Sequence, residues 1–364
     1  MRVALVYDRL NKIGGAEKVL VAFQELYPEA DWYTSFWNPA TAPFSRDWPV
    51  HSFPYLRKHH EWFPWLMPFI FESYDLSSYD LVISIGSAES KGVITGPLTS
   101  HLNYCLTPTR YLYSHQAEYL TNPLYRFIAK FLRKWDLVAS TRPDEMIAIS
   151  TQVKSRIKNI YNIDSLVIFP PVDTERFMRD SLENLPRSKA GRNTGLPFSD
   201  YYLTVSRLVP YKKIDVLIKA FNQNGKTLVI IGDGSEKSRL TKLAKPNVHL
   251  LGSVSDTELV GYYQHAKAFL QANEEDFGIS MVEAQASGIP VIAYSKGGAV
   301  DIVIDEKTGI LVGRNQPRDF MQAIDRFETM SFDREECRLN SKRFDSSIWR
   351  RQMSERVKHL CQSN

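Results

Sequence analysis

The sequence predicts an α/β protein made of two Rossmann-like, doubly wound parallel-sheet domains. Three observations carry that expectation. Short apolar, β-branched runs recur along the chain, each followed by a turn and then an amphipathic stretch, the order that buries a parallel sheet under helices on both faces. At 364 residues the chain exceeds what one typical core encloses, so two domains of ordinary size are expected. Between the two groups of runs, Arg179 to Asp200 is rich in Ser, Asn, Gly, Arg and Pro without an apolar period, and reads as linker or surface loop.

The elements follow in order. Val3 to Tyr7 is a strand leading to Asp8, the glycine loop Gly14-Gly15 with Ala16 and Glu17, and a helix through Val19, Leu20, Phe23 and Leu26. Further strands are Asp80 to Ile85 with Gly86, Asn103 to Leu106 with Thr107-Pro108, Met146 to Ile149 with Ser150, and Leu166 to Phe169 with Pro170-Pro171. The second half offers Tyr202 to Val205, Thr227 to Ile231, Val248 to Leu250, Ala268 to Gln271, Val291 to Tyr294 and Ile310 to Val312. The expected organisation is an N-terminal Rossmann-like domain over 1–180, a linker over 181–200, a C-terminal Rossmann-like domain over 201–344, and a terminal helix over 345–364 packing back on the first domain. Two doubly wound sheets so joined place a ligand cleft between their strand ends.

Composition narrows the function classes. A formal charge of +4 is too small to argue for nucleic acid, and fits a phosphate-bearing ligand or an anionic membrane surface equally well. The cysteines, Cys105, Cys337 and Cys361, are odd in number and scattered, which points to a reducing, cytoplasmic setting. The strand-like start argues against a cleaved signal peptide, and no apolar run is long enough to span a bilayer.

Three segments of the second half carry chemistry. Ser206-Arg207-Leu208-Val209-Pro210-Tyr211-Lys212-Lys213 leaves the first strand of that half and delivers two cations, Arg207 and Lys212, to one strand end. A departing diphosphate gathers negative charge, so fixed cations aimed at it stabilise the transition state more than the ground state; two solvated surface cations are the bland alternative. Ile231-Gly232-Asp233-Gly234 is a tight turn after the next strand. Glu275 and Glu283 bracket a loop and helix start: Ile279 to Ala286 reads as a short helix stopped at Gly288 and Pro290. The amides of Phe277, Gly278 and Ile279 lie at the positive end of that helix, where unsatisfied N–H groups favour an anion, and Gly278 allows close approach of a ligand.

In this order, Arg-x4-Lys, Gly-Asp-Gly and E-x7-E resemble the signature of the family 4 glycosyltransferases, retaining enzymes of the GT-B fold. The resemblance implies that Arg207 and Lys212 hold the donor diphosphate, Glu275 contacts the donor hexose, Glu283 holds the ribose, and backbone near Val254 meets the base. Arg207, Lys212 and Glu275 are then the catalytic set. Lys213 stands where the family usually has glycine. Gly14-Gly15 is similar to the family's N-terminal glycine loop near the donor phosphate and sugar, with Asp8 and Glu17 at its border, either as acceptor-side polar groups or as helix-start charges. Tyr104-Cys105-Leu106-Thr107-Pro108-Thr109-Arg110-Tyr111 resembles a motif of bacterial polysaccharide glycosyltransferases, with Leu106 in place of its histidine. Asp8, Arg110 and His115 are the acceptor and sugar candidates.

What the resemblance implies is a retaining hexosyltransferase using a UDP-sugar, with UDP-glucose first and GDP-mannose as the alternative, in exopolysaccharide or lipopolysaccharide synthesis. The co-substrate is a nucleoside diphosphate sugar and the acceptor a glycan or lipid-linked glycan. No cofactor or metal is expected, since the chain contains no Asp-x-Asp. A nucleotide-sugar epimerase and a non-catalytic carbohydrate-binding protein share such a fold and remain rivals. A dinucleotide oxidoreductase is disfavoured, because no strand is followed by G-x-G-x-x-G.

Two stretches suggest a surface. From Leu124 to Trp135, helical spacing puts Leu124, Phe127, Ile128, Phe131 and Trp135 on one face and Arg126, Lys130, Arg133 and Lys134 on the other. That pattern suits an interfacial membrane helix or a core-facing helix with a basic solvent side. Residues 53–71 are dense in aromatics and prolines, fitting a membrane or sugar contact or a packed loop. The expected location is therefore cytoplasmic, with peripheral contact at the inner face of the membrane as the alternative to a freely diffusing protein.

Overall fold

The computed structural model describes residues 1–12, 14–53, 64–114, 122–179 and 197–363, and the chain divides into two compact units, Met1–Pro171 with Trp349–Asn364, and Val172–Ile348. In the first unit the strands are β1 (Val3–Tyr7), β2 (Asp31–Thr34), β3 (Val50–Ser52), β4 (Leu81–Gly86), β5 (Ser100–Cys105), β6 (Glu145–Ala148) and β7 (Leu166–Val167). They form one parallel sheet in the order β3-β2-β1-β4-β5-β6-β7. Every residue of β1, β4 and β5 is buried, which is why the central strands read as continuous apolar runs. β2 and β3, at four and three residues, carry no local strand signal. β2 is Asp-Trp-Tyr-Thr, too short and polar for a period, and is held by its register against β1, Ala4 opposite Asp31 through Tyr7 opposite Thr34.

The chain returns to the first unit at Trp349, within the helix Ser346–Ser363. Trp349 is buried with its ring edge-on to Phe23, centroids 4.8 Å apart, and Met353, Val357 and Leu360 bury the same helical stripe. Arg356 Nε donates to both oxygens of Glu145 at the start of β6, 2.5 Å each.

The second unit contains β8 (Tyr201–Val205), β9 (Thr227–Ile231), β10 (Val248–Gly252), β11 (Phe269–Gln271), β12 (Val291–Tyr294) and β13 (Gly309–Val312). Its sheet is again parallel, in the order β10-β9-β8-β11-β12-β13. The core is one cluster in which Leu217, Phe221, Leu228, Ile230, Leu270, Ile292, Phe320 and Ile324 interlock strands and covering helices. The sequence groups residues 172–180 with the first domain. As far as Arg179 they pack in this second unit: Phe177 stacks edge-on to Tyr263, centroids 5.5 Å apart, and Arg176 pairs with Asp256 at 3.1 Å.

The winding reverses between β1 and β4 in one sheet and between β8 and β11 in the other. In a doubly wound sheet those strand ends are where a crevice opens and ligands bind.

Candidate donor-binding site

The β8–β11 reversal gathers the residues singled out in the second half. β8 ends at Val205, and the chain runs through Ser206 and Arg207 into a short turn, Pro210–Lys212, that precedes the helix Ile214–Asn224. Lys213 joins the two with φ 53°, in the left-handed region. A left-handed residue at this point is the physical reason a glycine suits it, and here lysine bears the strain. On the far side, β11 ends at Gln271 and continues to Glu275. Lys212 Nζ donates to Glu275 Oε1 across the reversal, both side chains being largely buried. Gln271 Nε2 reaches the same oxygen at 3.3 Å. Arg207 is exposed and its guanidinium donates to the Tyr211 hydroxyl at 2.8 Å, so the two cations differ: one is locked, the other reaches into solvent.

After Glu275 the backbone turns at Gly278, φ 106°, which is the N-cap of the helix Ile279–Ala286. Its N-cap residue, being glycine, has no side chain to cap the first amides, and a helix start of this kind can receive an anion. The helix ends as its sequence suggested. Gly288, φ 78°, donates to Gln285 O at 2.8 Å and Ile289 donates to Ala284 O at 3.1 Å, a Schellman closure. Glu283 lies inside the unit, buried, accepting from the Tyr263 hydroxyl at 3.1 Å. Burial first, then the Glu283 charge, pushes the Tyr263 phenol well above its usual range, so it stays a donor. Phe277 is buried edge-on to Phe344. Ile279 is half-buried as the first residue of the helix.

Gly232, φ 133°, has a reason independent of any ligand: a Cβ there would stand 1.9 Å from Ser206 O, where the ends of β8 and β9 touch. Val254 is half-buried in the turn between β10 and the helix Asp256–His265, whose start is a capping box of Ser255 and Glu258.

The sequence reading missed one loop. After β12, Gly297 (φ 68°) forms a parallel bridge with Glu275, and Gly298 N donates to Glu275 O at 2.9 Å. A Cβ on Gly297 would meet Glu275 O at 2.0 Å and one on Gly298 would meet Phe277 O at 2.0 Å. The Gly-Gly pair just past a strand end was the available signal, and it fixes the backbone that carries Glu275.

In the first unit the candidates lie near the ends of β1 and β4, some of them inside the core. Asp8, an acceptor and sugar candidate, is buried and accepts Ser87 N at 2.8 Å and Ser90 N at 2.9 Å, bracing the end of β4. Glu17 is also buried and accepts from Tyr7 at 3.3 Å. Gly14 is extended, φ −173°, and Gly15 opens the helix Gly15–Leu26, so neither needs glycine for a left-handed turn. Arg110 is half-buried at the start of Arg110–Tyr113. Leu106 is buried and its N–H donates to Gly86 O at 2.9 Å. His115 lies outside the described residues, as do 54–63 of the aromatic stretch and 180–196 of the linker.

Two buried ionic groups in this unit left no sequence signal. Glu89 is buried, accepts the Tyr111 hydroxyl at 2.5 Å and pairs with Arg9 at 3.6 Å; burial raises its pKa against the opposing pull of Arg9. Lys91 is buried against Asp136 at 2.5 Å and Ala88 O at 2.7 Å. Burial alone would depress the Lys91 pKa, but the Asp136 charge outweighs it and the ammonium is retained.

Residues 195–344 match the family model for glycosyl transferases group 1. Among curated proteins, a GDP-mannose-dependent alpha-(1-6)-phosphatidylinositol monomannoside mannosyltransferase of Mycobacterium tuberculosis is 33% identical over 196 residues, 48% of this chain and 50% of that protein. A D-inositol 3-phosphate glycosyltransferase of Catenulispora acidiphila is 29% identical over 205 residues, 50% of this chain and 47% of that protein. The chain thus spans about half the length of these relatives. Among solved structures, Anabaena HepE in complex with UDP and glucose is similar with TM-score 0.72 and 18% identity, covering 98% of this chain and 99% of that one.

Proposed function

Residues 195–344 belong to the glycosyl transferases group 1 family, in a chain with the GT-B fold, and from that premise we propose a retaining, metal-independent hexosyltransferase that uses a nucleoside diphosphate sugar. The observation that carries the reading is the meeting of Lys212 and Glu275 across the β8–β11 reversal, beside a helix start left open by Gly278. Lys212, the first amides of Ile279–Ala286 and the reaching guanidinium of Arg207 supply the positive field a diphosphate needs as its charge grows. Glu275 keeps Lys212 compensated until the donor arrives; the diphosphate then takes over the ammonium, and Glu275 is released toward the hydroxyls of the hexose. Glu283, held by Tyr263, is assigned to the ribose. No protein nucleophile is invoked: departure of the diphosphate and attack of the acceptor occur on one face of the sugar, and the departing phosphate takes the acceptor proton.

The sequence favoured UDP-glucose. The 33%-identical relative named for GDP-mannose reverses that order and makes GDP-mannose the first donor to test, with UDP-glucose second, since likeness at 18% identity speaks for the fold alone. The acceptor class is a glycan or lipid-linked glycan of a surface polysaccharide or glycolipid, used at the inner face of the cytoplasmic membrane. Isothermal titration of GDP, UDP and ADP into the purified chain tests the donor site; binding of none of them more tightly than about millimolar would refute it. Incubating the bound donor without acceptor separates transferase from epimerase, which would isomerise the sugar.

A further inference from the structure

The helix Pro123–Ala139 carries two stripes on its outward side, where the sequence offered one. Its inward face is Ala129, Leu132, Asp136 and Ala139, all buried, with Asp136 tied to Lys91 and to the Tyr161 hydroxyl at 2.8 Å. Of the apolar face read from the sequence, three residues stand outside, Leu124 62%, Phe127 73% and Phe131 51% exposed, and Val138, beyond that face, joins them at 58%. At 3.6 residues per turn these four fall within one narrow stripe, and Arg126, Lys130 and Lys134, also exposed, fall beside it. Ile128 and Trp135 are half-buried, and Trp135 Nε1 donates to Glu72 at 2.7 Å, so the apolar face expected from the sequence splits between core and solvent.

We infer that this outward side docks on an anionic lipid bilayer, with Leu124, Phe127, Phe131 and Val138 entering the headgroup boundary and Arg126, Lys130 and Lys134 engaging the lipid charge. Charge decides the occupant. The only acid of the helix is Asp136, which is buried, so the outward side is purely cationic. A second copy of the same side would set like charges against each other, whereas an anionic membrane complements the cations and accepts the aromatic rings at the same depth. No helix among the described residues is long and apolar enough to cross a membrane, so the contact is peripheral. The inference deepens the membrane-side acceptor reading above and does not depend on the donor assignment.

The test is co-sedimentation of the full chain with vesicles of phosphatidylcholine alone or with about one-third phosphatidylglycerol, at low and high salt. Binding is expected only with the anionic vesicles and is expected to weaken as salt rises. Phe127→Ser with Phe131→Ser should lower partitioning at least about tenfold. Lys130→Gln with Lys134→Gln, which leaves the apolar stripe intact and guards against misfolding of the first pair, should lower it about thirtyfold. Nucleotide titration in the same variants should be unchanged, which separates a failed docking surface from a failed donor site. Absence of wild-type binding, equal binding to neutral vesicles, retention of binding in both variants, or a concentration-dependent dimer that the variants abolish would each overturn the proposal.

Discussion

Lys212 and Glu275 compensate each other, and this makes their substitutions unequal. Glu275→Ala should leave a nucleotide site with an uncompensated cation, so nucleotide affinity holds or rises while turnover falls by about two orders of magnitude or more; titration together with a transfer assay separates the two. Lys212→Ala should weaken nucleotide binding itself, since it strips the largely buried member of the cation pair. Lys213 needs no partner to matter. Replacing it by glycine should relieve its left-handed strain and raise stability by up to about 1 kcal/mol in denaturant titration, with nucleotide affinity unchanged. His101, buried in β5 with Nε2 2.8 Å from Ser84 Oγ, sets a pH dependence. Burial, helped by the Arg142 charge, depresses its pKa from 6.5 to about 3. Its neutral form belongs to the folded state, so the stability it permits is complete above the unfolded pKa of 6.5 and is lost as pH falls toward 3, by about 1.4 kcal/mol per pH unit. His101→Gln should flatten that slope by one proton in urea unfolding measured across the window.

Among the elements, the helix Ile279–Ala286 and β12 were legible to the residue, because a left-handed start at Gly278, a Schellman stop at Gly288 and a buried strand are all local rules. The loop Gly297-Gly298 was not, since its role is to lie against the backbone of Glu275 and Phe277, and contact between distant segments leaves no local pattern. Gly298→Ala should therefore weaken donor binding as strongly as a change at a liganding side chain, by forcing a Cβ against Phe277 O and shifting the backbone that carries Glu275. The helix Pro123–Ala139 shows the converse. Its period was plain, but which side faced the core depended on Asp136 pairing with Lys91, a buried ionic contact that hydrophobicity scoring reads backwards. Asp8 follows the same rule: an acid beside a glycine loop suggests a surface, and only the N–H groups of Ser87 and Ser90 draw it in, whereas Glu17 takes the helix-start position open to it, in the first turn of Gly15–Leu26.

In the molecule as a whole, each unit is a separate parallel sheet with its own reversal, and the first unit is completed by the far end of the chain. Trp349→Ala should destabilise that unit by about 3–5 kcal/mol, because it empties a fully buried site against Phe23 and Tyr104; a thermal scan should show its transition moving down while that of Val172–Ile348 stays. The sequence by itself determined the two-sheet class, most strand positions, and the order of cations, glycines and carboxylates along the second half, since strand burial, helix stops and turn chemistry act over a few residues. Only the tertiary structure decided that Lys212 closes on Glu275, that Glu283 is held by Tyr263, that Asp8 is internal, and that Phe127 and Phe131 face outward. Those outcomes depend on strand order and on buried charge pairing between residues far apart in the chain, and neither is written in any local stretch of it.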